Sequence, residues 1–362
     1  MSQNKNNYLS TAKGIGIILM VMGHCGAPDL WVKFIYEFHM PLFFFCSGIF
    51  LKDINNIDAL FLHIKKRFKG IYIKFLCWSL LFLLLHNVFY HLNIYNDIVL
   101  FKGQPSYLYN TSDFIHKASK IIFSMNEHEQ LLRSFWFLKQ LFLSGIFVSI
   151  IMYLSNRLSK NRHSHTFIFM GLFISTIISK YYKWSLPAIW DISLVFMSST
   201  FYYSGYIFRK YNIIEEINNM TISIICLIIL LLGLYILPWT NMLEYTTEST
   251  IPFYFIAFSG ILLTINISRK LEQTNIKYFF YYLGQNTMVI FALHMLCFKL
   301  GNLLKIVIYD MPIYRLADFQ IISDHNSYFW IVYTIIGISI PLLIDYAMKS
   351  NRKTKKIWNY IV

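Results

Sequence analysis

Residues 10–26 read STAKGIGIILMVMGHCG. At 1.5 Å per residue a helix of about 17 residues or more reaches across roughly 30 Å of hydrocarbon, and this run is otherwise apolar enough to do so. It is interrupted by one cation, Lys13, and one imidazole, His24. An ionisable side chain is costly in such a setting, so each marks a functional position or a packed polar contact. Eleven residues at 100° each come to about 20° past three full turns, which puts Lys13 and His24 on one helix face, about 16 Å apart along its axis. Gly16 and Gly23 also lie near one another on that helix and admit a neighbouring backbone.

The same pattern recurs outward from this run. Of the 362 residues 56% are hydrophobic and 14% charged, which is more apolar surface than one soluble core can bury. Ten stretches, at about 10–26, 38–51, 71–90, 136–154, 166–180, 187–208, 221–239, 250–266, 279–300 and 327–347, predict an all-α bundle of about ten transmembrane helices in a single domain. The alternation that would mark a transmembrane β-barrel is missing. The first run has no small-residue cleavage site and leads directly into the second, so it reads as a retained helix.

The net charge of +14 does not gather on one face as nucleic-acid binding would require. Instead Lys52, Lys65, Lys66, Arg67 and Lys69; Arg157, Lys160 and Arg162; Arg209 and Lys210; Arg269, Lys270 and Lys277; and the tail from Lys349 to Lys356 occupy alternate connections. Positive charge concentrates on cytoplasmic sides, so both termini are expected inside. Lys13 then lies at the cytoplasmic edge and His24 in the outer half. The longest connection, about 91–135, falls outside, where loops of this length are commonly functional. Five cysteines sit in apolar runs without C-x-x-C spacing, which reads as buried packing.

Imidazole is the usual base for activating a hydroxyl near neutral pH, and His24 is the first candidate for that role; its bland alternative is an interhelical hydrogen bond. His39 and His294 are placed outward by the same topology and read as acceptor-site or structural residues. No H-x-x-H or H-x3-H pair supports a metal. Asp191, at the outer end of the sixth stretch, either orients His24, binds sugar hydroxyls or pairs with a lysine. Glu37 at the rim is a weaker candidate. Trp31, Trp136, Trp184, Trp190, Trp239 and Trp330 fall near outer boundaries, where an aromatic belt accounts for most of them.

Lys13-x10-His24, followed by Phe38-His39-Met40-Pro41-Leu42-Phe43-Phe44-Phe45-Cys46-Ser47-Gly48, resembles the opening of membrane acyltransferase family 3, in its fucose 4-O-acetylase-like branch. The resemblance continues through Lys65-Lys66-Arg67-Phe68-Lys69, Trp136-Phe137-Leu138, Leu186-Pro187 with Asp191, Ser204-Gly205-Tyr206-Ile207-Phe208-Arg209-Lys210, and Leu283-Gly284-Gln285-Asn286-Thr287 with Phe291 and His294. Two positions depart from the pattern. Ser10 stands where an acidic residue is common, and Lys66-x-x-Lys69 around Arg67 replaces an arginine pair, which keeps the charge and loses the bidentate fork.

The resemblance implies a multi-pass enzyme of a bacterial inner (plasma) membrane, in contact with membrane lipids. It would take an acyl group, usually acetyl, from cytoplasmic acetyl-CoA or another acyl-CoA to a hydroxyl of a surface glycan or lipid-linked sugar, with no metal. It makes His24 the catalytic base and Lys13 its basic partner, with Asp191 as a possible orienter. Lys13, Lys66, Arg67 and Lys69 would bind the donor, and His39, Trp136, Asn286 and His294 the acceptor. Asn286 and Ser47 are of the right type to donate to an oxyanion. A rival expectation is a transporter of a polysaccharide or lipid-linked oligosaccharide, which commonly shows an internal repeat that this sequence lacks. Nothing in the sequence indicates an oligomeric state.

Overall fold

The computed structural model describes residues 7–126, 129–158, 164–186, 191–325 and 327–362. Pro187, Trp190, Lys160 and Arg162 lie outside the described residues. The helices in chain order are α1 (Asn7–Gly23), α2 (Asp29–Tyr36), α3 (His39–Ile49), α4 (Ile57–Arg67), α5 (Ile73–His91), α6 (Thr111–Ser124), α7 (Trp136–Leu158), α8 (Ser164–Tyr181), α9 (Ile192–Lys210), α10 (Ile213–Glu216), α11 (Met220–Ile236), α12 (Thr247–Leu271), α13 (Lys277–Gln285), α14 (Thr287–Ile308), α15 (Phe329–Ser350) and α16 (Arg352–Ile361). A π-helical turn, Phe68–Tyr72, joins α4 to α5, and 3-10 turns occupy Gln130–Phe135 and Ile313–Ala317. Among the described residues β structure is limited to an isolated bridge between Phe101 and Gln104.

Among the described residues five helical segments are long and apolar enough to cross a membrane: Ile57–His91, Gln130–Arg157, Thr247–Leu271, Thr287–Ile308 and Phe329–Ser350. The ten predicted stretches are each helical over most of their length, with three differences that bear on chemistry. α1 stops at Gly23, because Gly26 takes a left-handed φ of +69° and Pro28 follows, so His24 lies in the turn just beyond the helix. The stretch 279–300 is two helices, separated at Asn286, whose φ of −106° and ψ of 20° leave the helical region. α14 then runs on to Ile308, eight residues past the predicted end, and carries Lys299, Asn302 and Lys305.

The described residues form two compact units, one built from 7–20, Leu30–Ile71 and Gln140–Gln285, the other from Val21–Asp29, Tyr72–Lys139 and Asn286–Val362. In the first, small residues let helices touch backbone to backbone. A Cβ on Gly48 of α3 would stand 1.7 Å from the Tyr202 carbonyl oxygen, and one on Gly205 of α9 would stand 2.1 Å from that of Phe45. Each helix therefore presents its glycine to the other's main chain, the close-approach solution that membrane helices use where hydrophobic burial gives no advantage over lipid. Gly14 against Phe280 and Gly284 against Ser10 repeat the device between α1 and α13. Gly16 packs on Leu42 and Phe43, so its role is α1–α3 contact.

In the second unit α14 and α15 interlock through Gly301 under Tyr333 and Gly337 under Phe298. The described residues of the long connection, 92–126 and 129–135, are tied down by side-chain contacts. His86 joins Glu129 at 3.0 Å and lies flat on Tyr109, while Asn87 exchanges two hydrogen bonds with the Tyr109 backbone. Asn96 reaches the Tyr314 carbonyl at 2.8 Å, and α6 carries a reciprocal Asn110–Asp113 cap. α16 folds back on α5, with Trp358 donating to Asp345 Oδ1 at 2.8 Å and meeting Trp78 edge to face.

Candidate active site

The second unit brings two histidines together. His24 hangs from the turn after α1, its backbone N–H bonded to Val21 O at 3.0 Å. His294 projects from the middle of α14, fully buried. Their ring centroids are 5.5 Å apart and the planes are inclined by 31°. Around them stands an aromatic wall: Phe291 lies over Phe135 at 5.2 Å with the rings parallel, Phe137 meets Phe291 edge to face, and Phe298 meets His294 edge to face. The Trp-Phe-Leu segment thus contributes Phe137 and its neighbour Phe135, while Trp136 itself meets Phe137 edge to face at the start of α7.

Hydrogen bonding distinguishes the two rings. His294 Nδ1 lies 3.0 Å from the Phe291 carbonyl and 3.2 Å from that of Ile290, acceptors that require Nδ1 to carry the proton. The lone pair is then on Nε2, which is buried and has no hydrogen-bond partner among the described residues. Gln320 Nε2 donates to His24 Nδ1 at 3.1 Å. Arg133, lying over Phe101 and Phe319, is close enough to act electrostatically on His24.

Gln320 was not legible as a site residue, and neither were the residues that hold its loop. Lys299 donates to the Asp318 carbonyl at 2.7 Å, and Lys305 to those of Ile322 and Asp324 at 2.8 and 2.7 Å. Asn302 accepts from Ile322 N at 3.1 Å and from Tyr333 Oη at 2.7 Å. These three polar residues recur every third position in an apolar run, which places them on one helix face. That spacing was the available signal. Beside this loop, a surface cavity of about 340 Å³ is lined by Tyr309, His325, Ser327, Tyr328, Phe329 and Val332, with the Tyr309 and His325 rings stacked.

Other predicted residues take up different work. In the first unit Arg67 turns inward. Its guanidinium donates to Ser47 Oγ at 3.0 Å, to His63 Nε2 at 3.3 Å and to Tyr202 Oη, and it lies over the Tyr202 ring. Gly145 leaves room for it, since a Cβ there would stand 3.0 Å from Arg67 Nε. Ser47 is engaged by the same contact. Lys65, Lys66 and Lys69 remain exposed around it. Lys13 lies on α1 in this unit, close to Cys46.

Asp191 caps α9 by accepting from Leu194 N, accepts from Ser193 Oγ at 2.5 Å and stands 4.0 Å from Lys180. Its contacts are those of a helix cap and an ion pair. His39 is buried, bonded to Ile35 O at 2.8 Å and stacked on Tyr36. In the second unit Asn286, at the head of α14, accepts from Lys349 at 3.5 Å. Among the described residues no group of three His, Cys, Asp or Glu side chains is placed to hold a metal ion.

Apolar helices of membrane-spanning length mark a multi-pass membrane protein, in which the half-buried His24 and the fully buried His294 stand together against an aromatic wall. The chain belongs to acyltransferase family 3, whose acyltransferase domain matches residues 6–346, and it is a membrane-bound acyltransferase. No curated protein and no solved structure matches it. The family match decides against the transporter expectation.

Proposed function

We propose that the protein belongs to the fucose 4-O-acetylase-like branch and moves an acetyl group from cytoplasmic acetyl-CoA to a hydroxyl of a surface glycan or lipid-linked sugar in a bacterial inner membrane. The observation that carries this reading is the His24–His294 pair, two imidazoles 5.5 Å apart against an aromatic wall. His24 acts as general base. As the sugar oxygen bonds to the thioester carbonyl carbon, its proton passes to the imidazole. The C–S bond then breaks, and the departing thiolate takes that proton, returning His24 to its neutral form.

His294 supports the acceptor side of this step, because its unpartnered Nε2 offers a lone pair to a sugar hydroxyl. The stacked Tyr309 and His325 and the neighbouring Tyr328 suit a sugar ring, which binds through C–H faces as well as hydroxyls. On the donor side Lys13, Lys66 and Lys69 supply charge for the phosphates of coenzyme A, with Lys13 assigned from the family pattern. Arg67 acts behind them by fixing the end of α4.

The test compares O-acylation of cell-surface glycans by mass spectrometry in cells carrying wild type, His24→Ala or His294→Ala at equal protein level. Loss in His24→Ala with a partial fall in His294→Ala is expected. Unchanged modification in His24→Ala removes that imidazole from the mechanism.

A further inference from the structure

We infer that Gln320 is the positioning residue that selects the reactive tautomer of His24, and that the polar face of α14 exists to hold it there. The inference rests on the proposed role of His24 as base. A base must present an unprotonated nitrogen to the acceptor hydroxyl, so the other nitrogen has to carry the proton and be satisfied. Gln320 Nε2 lies 3.1 Å from Nδ1. An amide has two faces: turned one way its NH2 donates to Nδ1 and forces the proton onto Nε2; turned over, its oxygen accepts Nδ1–H and leaves the Nε2 lone pair for the substrate. The structure has the first arrangement, with Gln320 Nε2 at Nδ1; turning the amide over exchanges it for the second, the competent one, which matches the tautomer that backbone carbonyls impose on His294.

The loop that carries Gln320 is over-determined. Gln320 itself has a φ of +61°, a left-handed conformation that a non-glycine residue keeps only when its surroundings enforce it. The enforcement comes from both sides. Lys299 binds the carbonyl two residues before it, and Asn302 and Lys305 bind the backbone two and four residues after it. Arg315 adds an ion pair to Asp318 at 2.7 Å and another to Asp324. All three α14 side chains are at most 5% exposed. Two buried ammonium groups are an expensive way to end a loop, and a glycine-rich turn would do as well if the loop merely connected helices. Their expense is explained if the position of one amide matters.

A neutral amide also leaves the basicity of His24 to its surroundings, where the charged and titratable groups facing it include His294 from α14 and Arg133 from the 3-10 turn. A carboxylate at position 320 would instead stabilise the imidazolium. This gives two readouts that a purely structural residue would not move. The full-length protein in native membrane vesicles is assayed with radiolabelled acetyl-CoA for label entering endogenous glycan. In parallel, the pH dependence of His24 modification by diethyl pyrocarbonate is followed by peptide mass.

Gln320→Leu is expected to lower the maximal rate about 10- to 100-fold with little change in the KM for acetyl-CoA, the usual worth of a partner that orients an imidazole. Gln320→Glu keeps an oxygen acceptor and is expected to recover most of that rate, with both the acidic limb of the rate profile and the His24 modification curve moved to a pH about one unit higher. A Gln320→Glu curve that superimposes on wild type, or a Gln320→Leu protein with a wild-type maximal rate, overturns the inference. If Gln320→Leu does not accumulate, the Gln320→Glu modification curve decides alone. Transfer that survives His24→Ala would overturn the functional reading, while the modification curve would still judge the Gln320–His24 contact.

Discussion

Replacing Arg67 by methionine separates a structural cation from a substrate-binding one. The side chain makes three hydrogen bonds from one guanidinium, to Ser47, His63 and Tyr202, and stacks on the Tyr202 ring. Those partners come from α3, α4 and α9, so Arg67 ties three helices together. Hydrogen bonds from a charged donor contribute about 1.5–3 kcal/mol each, and the ring contact about 0.5–2 kcal/mol. Since they share one group they do not add fully, and methionine keeps much of the apolar stem. The net loss should be on the order of 3 kcal/mol. In a chain of this size that lowers the unfolding midpoint by roughly 5 °C or more. The assay is thermal unfolding of detergent-solubilised protein, alongside the KM for acetyl-CoA. Lys66→Gln and Lys69→Gln serve as controls: both side chains are exposed, so stability should stay within about 0.5 kcal/mol of wild type while the KM rises. An Arg67→Met protein with an unchanged midpoint and a raised KM would refute the reasoning and make Arg67 a ligand of the donor.

Gly205→Ala places a Cβ 2.1 Å from Phe45 O, where about 3.3 Å is a normal approach, so α3 and α9 must part by about 1 Å; a loss of about 1–3 kcal/mol in unfolding is expected, and an unchanged midpoint would show that the interface yields freely. Glu37, in the turn between α2 and α3, is held by burial with its carboxyl up to about 8 from 4.5, against the opposing pull of the Lys33 ammonium. A raised folded pKa contributes stability that is complete below about 4.5 and lost as pH rises through about 8. Glu37→Gln should flatten that decline in the midpoint between pH 5 and 9, and an identical decline in the variant would assign it elsewhere.

The all-helical character was legible because apolar runs announce themselves by length and composition: the described parts of the ten stretches fall on helices, and among the described residues five segments are of membrane-spanning length and hydropathy. Their ends were less legible, for reasons local to each. At α1 the apolar run continues into His24-Cys25, but Gly26 and Pro28 turn the chain first. At α13 and α14 the stretch 279–300 reads as one span, although the break at Asn286 falls in the polar run Gly284-Gln285-Asn286-Thr287. The glycines were partly readable. Gly48, Gly205 and Gly284 stand in the motifs that carry the family resemblance, yet they serve backbone contact between helices, and a motif does not say whether it makes a site or an interface. Arg67 shows the same ambiguity for charge: a basic cluster at a helix end reads as a phosphate site, whereas Lys33, donating to the Leu234 and Leu237 carbonyls at 2.5 and 2.7 Å, and Arg67 are both absorbed into structure.

The imidazole pair shows why a site of this kind is only half visible in one dimension. His24 and His294 could be singled out because hydrocarbon penalises ionisable groups, which makes every survivor conspicuous. Gln320 is exempt from that penalty, being neutral and in a loop, and only contact with His24 Nδ1 gives it meaning. The link between the visible and invisible parts is the line of Lys299, Asn302 and Lys305. Polar groups buried in an apolar helix must be satisfied, and the nearest unsatisfied backbone is that of a loop with no secondary structure of its own. Each ammonium therefore both relieves its own burial and fixes the loop. A row of buried cations on a membrane helix can in this way mark the place where a neighbouring irregular segment is made rigid, and the residue worth mutating is the one that segment presents.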